Sequence, residues 1–129
     1  MTGIAKSRFE HSSDIRPFAE GMGEMSMVDL DGMAVGKAQF RPGWRWSDHV
    51  RPIAGTDSCQ VAHAGYLLSG RMTVRMDDGT EVTFDPGDVM VAAPGHDAWV
   101  VGDEPCVLLD WQGALTYARS MAAQGNATA

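Results

Sequence analysis

The apolar positions of the chain fall in short runs separated by glycine-containing turns. Over residues 71–77, Met72, Val74 and Met76 alternate with Arg71, Thr73 and Arg75. That is the period-two pattern of a strand with one apolar face and one polar face. Val82 and Phe84 alternate in the same way within residues 80–85. Further strands are predicted over 25–30, 33–40, 63–70, 89–94, 98–102 and 105–111. Asp31-Gly32 and Asp78-Gly79 stand between runs as hairpin turns, because Asp and Gly tolerate the positive φ such turns require. Pro86-Gly87-Asp88 and Gly95-His96-Asp97 mark two more turns. Residues 113–124 have the Ala, Leu, Tyr and Met content of a short helix. The chain therefore divides into a polar N-terminal arm (1–22), a β-rich body (23–112) and a C-terminal helix and tail (113–129). Roughly eight to ten short strands with regular turns predict an all-β sandwich or small barrel. The arm is expected to pack on that body or to pair with a neighbouring copy.

Composition narrows the function classes. A length of 129 residues favours one domain. Ten Lys and Arg face seventeen Asp and Glu, a net charge of −7, and the basic residues do not cluster. Nucleic acid and anionic membrane are poor partners for such a surface. No apolar run approaches the ~18 residues of a membrane span, and the first residues lack the apolar core of a signal peptide. A cytoplasmic protein is expected. Its two cysteines, Cys59 and Cys106, are then expected as thiols rather than a disulfide. The nine Met residues read as soft core filler, with some left to line a pocket.

Candidate chemistry gathers in three places. Gly43 is followed by His49; Cys59 and His63 precede Gly70; and "DPGDVMVAAPGHDAWV" (85–100) joins a Pro-Gly-Asp turn, an apolar strand and a Pro-Gly turn. Three of the four histidines lie in these regions. Together the segments resemble the two motifs of the cupin superfamily, over about residues 33–112. "GYLLSGRMTVRMDDG" and "PGDVMVAAPG" carry most of the likeness. The resemblance implies a double-stranded β-helix (jelly-roll-like) barrel with one divalent metal inside. Matched backwards from Gly70, His63 falls on the motif's glutamate, Cys59 on its second histidine and Asp57 on its first. Matched forwards from Gly43, His49 falls on the first histidine. An insertion within the loop-like stretch 50–57 accounts for the offset. In the second motif Gly95 fits the turn glycine and Ala98 falls on the histidine position. His96 lies two residues earlier on the same parity and can face inward if the turn is shortened.

Strand geometry bears on the ligand set. Cys59, Val61 and His63 share one face of a strand, but four residues of regular strand separate Cys59 from His63 by about 13 Å. His63 with His49 and His96, from neighbouring strands, is the expected triad. Cys59 joins it if the strand bulges there. Imidazoles suit Zn, Fe, Mn, Cu or Ni, and a thiolate shifts the choice towards the softer ions. Trp46, Tyr66 and Trp99 are expected to line a pocket for a small aromatic or carboxylate ligand. Three function classes follow: a metal-dependent enzyme (oxygenase, isomerase or lyase), a metal- or ligand-sensing module, and a metal-free structural barrel. A homodimer is expected, because small barrels must cover exposed edge strands.

Overall fold

The computed structural model describes residues 3–119. Nine strands form two sheets: β1 (Asp14–Pro17), β2 (Gly23–Leu30), β3 (Met33–Phe40), β4 (His63–Ser69), β5 (Met72–Met76), β6 (Glu81–Phe84), β7 (Val89–Ala92), β8 (His96–Val100) and β9 (Cys106–Asp110). The larger sheet has the order β1-β2-β3-β9-β4-β7 and the smaller the order β6-β5-β8. All strand pairings within them are antiparallel, and chain neighbours such as β4 and β5 lie in different sheets. Inward positions alternate cleanly along β8 and β9. They meet Met25, Phe40, Trp44, Leu67, Met72 and Met90 in one core.

The turn chemistry acts as expected at the first hairpin. Asp31 and Gly32 both have positive φ (53° and 89°), which suits a two-residue turn between paired Leu30 and Met33. In β5, Thr73 was expected on a polar face, yet it is buried. Its hydroxyl shares a 2.7 Å hydrogen bond with that of Thr83 on β6.

Three segments differ in secondary structure from the sequence expectations, the arm while packing on the body of its own chain. The arm contains β1, which pairs with β2 of its own chain and extends the large sheet. Its apolar alternation is too short to register as a period. The stretch 50–57, expected as a loop, begins with α2 (Arg51–Ala54), directly after α1 (Trp46–His49). Pro52 sits in its first turn, where a missing N–H costs nothing, and Gly55 closes it at φ 78°. The third departure is the C-terminal helix. Over 113–119 the chain forms turns instead. Thr116 and Tyr117 N–H donate to Gly113 O, but Ala118 at φ 57° ends any helical run. The remainder of the expected helix lies outside the described residues.

This C-terminal strap is tied down by one cation. Arg16 is buried, and its Nη1 donates to Ala114 O (2.6 Å) and Tyr117 O (2.8 Å). Its Nε and Nη2 donate to both oxygens of Asp14. Arg16→Met keeps the aliphatic bulk but leaves two strap carbonyls without a charged donor. It is expected to cost about 1.5–3 kcal/mol in denaturant unfolding and to speed hydrogen exchange at residues 113–118 specifically. Unchanged exchange there would mean that Arg16 is not the latch.

Candidate metal centre

Three side chains converge at one end of the sandwich. His63 opens β4 in the large sheet and His96 opens β8 in the small one. The connection Ala93-Pro94-Gly95 carries the chain from β7 across to β8, with Gly95 at φ 94°. The two imidazoles thus face each other, ring centres 5.2 Å apart. Cys59 is brought in by an isolated bridge to His96: Cys59 N donates to His96 O (2.8 Å), and Gly95 N to Cys59 O (2.7 Å). One ligand atom from each of Cys59, His63 and His96 lies within 4.8 Å of the others, and all three residues are buried. Residues 60–62 leave strand geometry between Cys59 and His63. The separation calculated for a regular strand therefore does not apply, and Sγ sits 3.6 Å from His63 Nε2.

Both imidazoles are oriented from behind. His63 Nδ1 meets Asp110 Oδ2 at 2.5 Å, and His96 Nδ1 meets Ala93 O at 2.7 Å. A carbonyl can only accept, so His96 carries a proton on Nδ1 and turns Nε2 towards the cluster. His63 is oriented in the same way, its Nδ1 donating to the Asp110 carboxylate and its Nε2 turned towards Cys59. An outer carboxylate or carbonyl behind each histidine is the arrangement that fixes the tautomer and ring plane of metal-binding imidazoles. The other Asp110 oxygen accepts from Gln112 N (3.0 Å) and Gly113 N (2.8 Å). The strap passes so close that a Cβ on Gly113 would lie 2.8 Å from His63 Nδ1. Tyr117, on the same strap, sets its ring 5.1 Å from that of His63 at 77°.

The other predicted site residues are placed differently. His49 lies at the end of α1 and does not join the cluster. Arg45 N–H donates to its Nδ1 (3.0 Å), and its Nε2 lies 3.2 Å from the Glu20 carboxylate. Both ring nitrogens are thereby engaged away from Cys59. The helical turn α1, standing where a strand is expected, turns His49 away from the cluster. Trp46 does line the small cavity beside the cluster, together with Trp44 and Tyr117. Tyr66 does not, because its parity on β4 sends it to the outer, solvent-facing side. Trp99 also points outward from β8, with the Arg45 guanidinium 4.4 Å above its ring. Sequence reasoning missed Asp110 and Tyr117. Asp110 left a signal, an acid on the same parity as the apolar Cys106 and Leu108. Tyr117 left none, since its segment reads as helix.

The cluster is strongly coupled. Burial alone would raise the Cys59 thiol; hydrogen bonds from His63 and His96 outweigh it and bring the pKa down to about 6. Burial would lower His63, but Asp110 and then Cys59 hold it at about 9. Asp110, despite burial, is held below the usual carboxylate range by His63. Burial, reinforced by the charges of Cys59, Asp110 and Asp97, keeps the Tyr117 phenol protonated. Cys106 is pushed up to about 11 by burial, so it stays a thiol, donating to Arg71 O.

These shifts oppose each other in stability. The Cys59 contribution is complete above its ordinary 9.0 and is lost as pH falls through about 6. The His63 contribution is complete below 6.5 and is lost as pH rises through about 9. Between 6.5 and 9 the two nearly cancel, so stability is expected to stay flat there while the thiolate persists. In metal-free protein, thiolate absorbance near 240 nm is expected to grow in with a midpoint near pH 6, and at a higher pH in His63→Ala. A wild-type midpoint at 8–9 would mean that the histidines do not stabilise the thiolate.

Comparison with known proteins agrees with this architecture. Residues 55–107 match the family model of the EutQ-like cupin domain. No curated protein matches the sequence. Among solved structures, the chain is similar to KdgF from Halomonas sp., with 19% identity and a TM-score of 0.56 over 84% of this chain and 91% of that one. An RmlC-like cupin from Shewanella frigidimarina is 16% identical, with a TM-score of 0.55 over 84% and 91%. A point variant of the oxalate decarboxylase OxdC from Bacillus subtilis is 23% identical, with a TM-score of 0.54; the match covers 84% of this chain and 29% of that one. At these identities the likeness concerns the fold. With its two facing sheets, its likeness to these solved structures and the match to a cupin family model over the segment that carries Cys59, His63 and His96, the chain has the double-stranded β-helix fold of the cupins.

Proposed function

We propose that this cupin binds one divalent transition metal ion through Cys59, His63 and His96, and binds or acts on a small organic ligand in the barrel beside it. One observation carries the reading: each histidine has its Nδ1 engaged by an acceptor behind it, which turns Nε2 towards the common centre. Two imidazoles and a thiolate suit Zn, Cu or Fe better than a hard oxygen-seeking ion. Three protein ligands leave a position for a ligand oxygen. A bound ion would supply Lewis-acid polarisation of that oxygen. The chain's own groups hold the site: Asp110 fixes His63, the Gly113 region covers it, and Tyr117 offers a protonated hydroxyl. Dioxygenase, isomerase or lyase chemistry fits such a centre. A binding or sensing role is the second reading, favoured by a small cavity whose lining side chains are all buried.

Protein prepared without chelators is expected to carry about one ion per chain by elemental analysis. His63→Ala and His96→Ala should lose it and His49→Ala should keep it. Asp110→Asn should weaken metal affinity about 10–100-fold. Well under one ion per chain in the unaltered protein would sink the metal reading, and retention by His63→Ala would sink the assignment of His63.

The proposal extends to a homodimer. Tyr66, Leu68, Val89 and Val91 form an exposed apolar strip on the outer face of β4 and edge strand β7. Sedimentation should give twice the chain mass, and Val91→Glu should give the monomer. A monomer mass for the unaltered chain at every concentration would remove this reading.

A further inference from the structure

The cavity beside the cluster contains a buried donor with nothing to bond. Trp44 is 1% exposed, and its indole Nε1 is a buried side-chain nitrogen with no hydrogen-bond partner among the described residues. An unpaired buried donor is costly and rare enough to need an explanation. The backbone of Trp44 is well used, accepting from Val100 N at 3.0 Å and donating to Arg41 O at 3.0 Å. Its ring is held by Phe40 at 4.3 Å and Phe18 at 5.8 Å. The indole cannot swing away to find water.

Trp44 lines the same enclosed space as His63, His96 and Tyr117. The walls between them are Met25, Met72, Met90 and Leu108, which cannot accept a strong hydrogen bond. Asp110 also borders the space, but both of its oxygens are engaged. An indole N–H only donates, so whatever completes Trp44 must present an acceptor. The imidazoles mark the polar side of the cavity, and an ion there would also seek an oxygen.

Size decides the class. The cavity measures about 30 Å³, room for about two waters, whereas a benzene-binding cavity is about 150 Å³. Methionine walls adapt more readily than branched ones. A ligand of about four heavy atoms is accommodated only as the methionine side chains give way, and an aromatic ring is not.

We infer that the barrel binds a compact carbonyl or carboxylate compound, with an oxygen accepting from Trp44 Nε1 and its alkyl part against the methionines. The inference deepens the proposed function by naming its ligand class, and it rests on that reading only for the end of the ligand nearest the cluster.

The test is a titration of the ¹⁵N-labelled chain, metal-free and zinc-loaded, with acetate, acetone and xenon. The Trp44 indole resonance is assigned with Trp44→Phe. Acetate or acetone is expected to move that resonance downfield to saturation, and xenon, which fills apolar space without accepting, is not. Whichever of the two oxygen compounds binds more tightly distinguishes a carboxylate from a neutral carbonyl ligand. Trp44→Phe should weaken binding about tenfold or more, read from the methyl resonances of Met25, Met72 and Met90. Zinc-loaded protein with one ion per chain and an unmoved Trp44 resonance would overturn this inference and leave the metal reading intact. A chain that takes up no zinc would fail the metal reading, and the metal-free titration would still decide for or against Trp44. An equal shift with xenon would also overturn the inference.

Discussion

The contact between Asp110 and His63 organises the functional end of this molecule. It is buried on both sides and joins the last strand of the large sheet to the first residue of β4. An isolated carboxylate would not tolerate that position. It is held there because His63 takes one oxygen and the N–H groups of Gln112 and Gly113 take the other. The same set of bonds turns the chain out of β9 and into the strap. Arg16 then secures the strap from the opposite edge of the sheet. The orientation of His63, the cover above it and the position of Tyr117 all descend from that one carboxylate.

A second constraint explains why three ligand-type residues meet at all. A double-stranded β-helix alternates its chain between two sheets, so residues close in sequence part while distant ones face each other. His63 and His96 open strands in different sheets and face across the gap. Cys59 comes in through backbone bonds to His96 rather than through side-chain preference. The result is a buried set with a thiolate and Asp110 on one side of the charge balance and a protonated His63 on the other. Such a set is well suited to exchange the proton on His63 Nε2 for a metal ion, since the outer partner on Nδ1 remains in place.

Much of the architecture was legible because it follows from local rules. Alternation along β5 and β8, the Asp31-Gly32 turn and the Pro-Gly turns depend on side-chain period and on φ, both local quantities. The inward parity of His96 with Ala98 and Val100 was readable for the same reason. The errors have equally definite causes. His49 reads as a strand residue because its helix is one turn long, too short to show a 3.6-residue period. The separation that sets Cys59 apart from His63 in sequence holds only for an unbroken strand, and residues 60–62 break it. Tyr66 and Trp99 lie close in sequence to the cluster histidines, but their strand parity points them outward.

By itself the sequence determined the all-β class, the positions of the main strands, and the histidine and cysteine chemistry available to the barrel. These rest on period, turn residues and side-chain type, which neighbours in the chain are enough to express. Tertiary structure decided which of those residues meet, because the meeting depends on sheet crossing and on a strap that locks from a distance. It also decided that Asp110 stands behind His63 and that the indole of Trp44 is left as a buried, unsatisfied donor. Hydrogen-bond satisfaction is a property of the closed three-dimensional packing, and no local pattern encodes it.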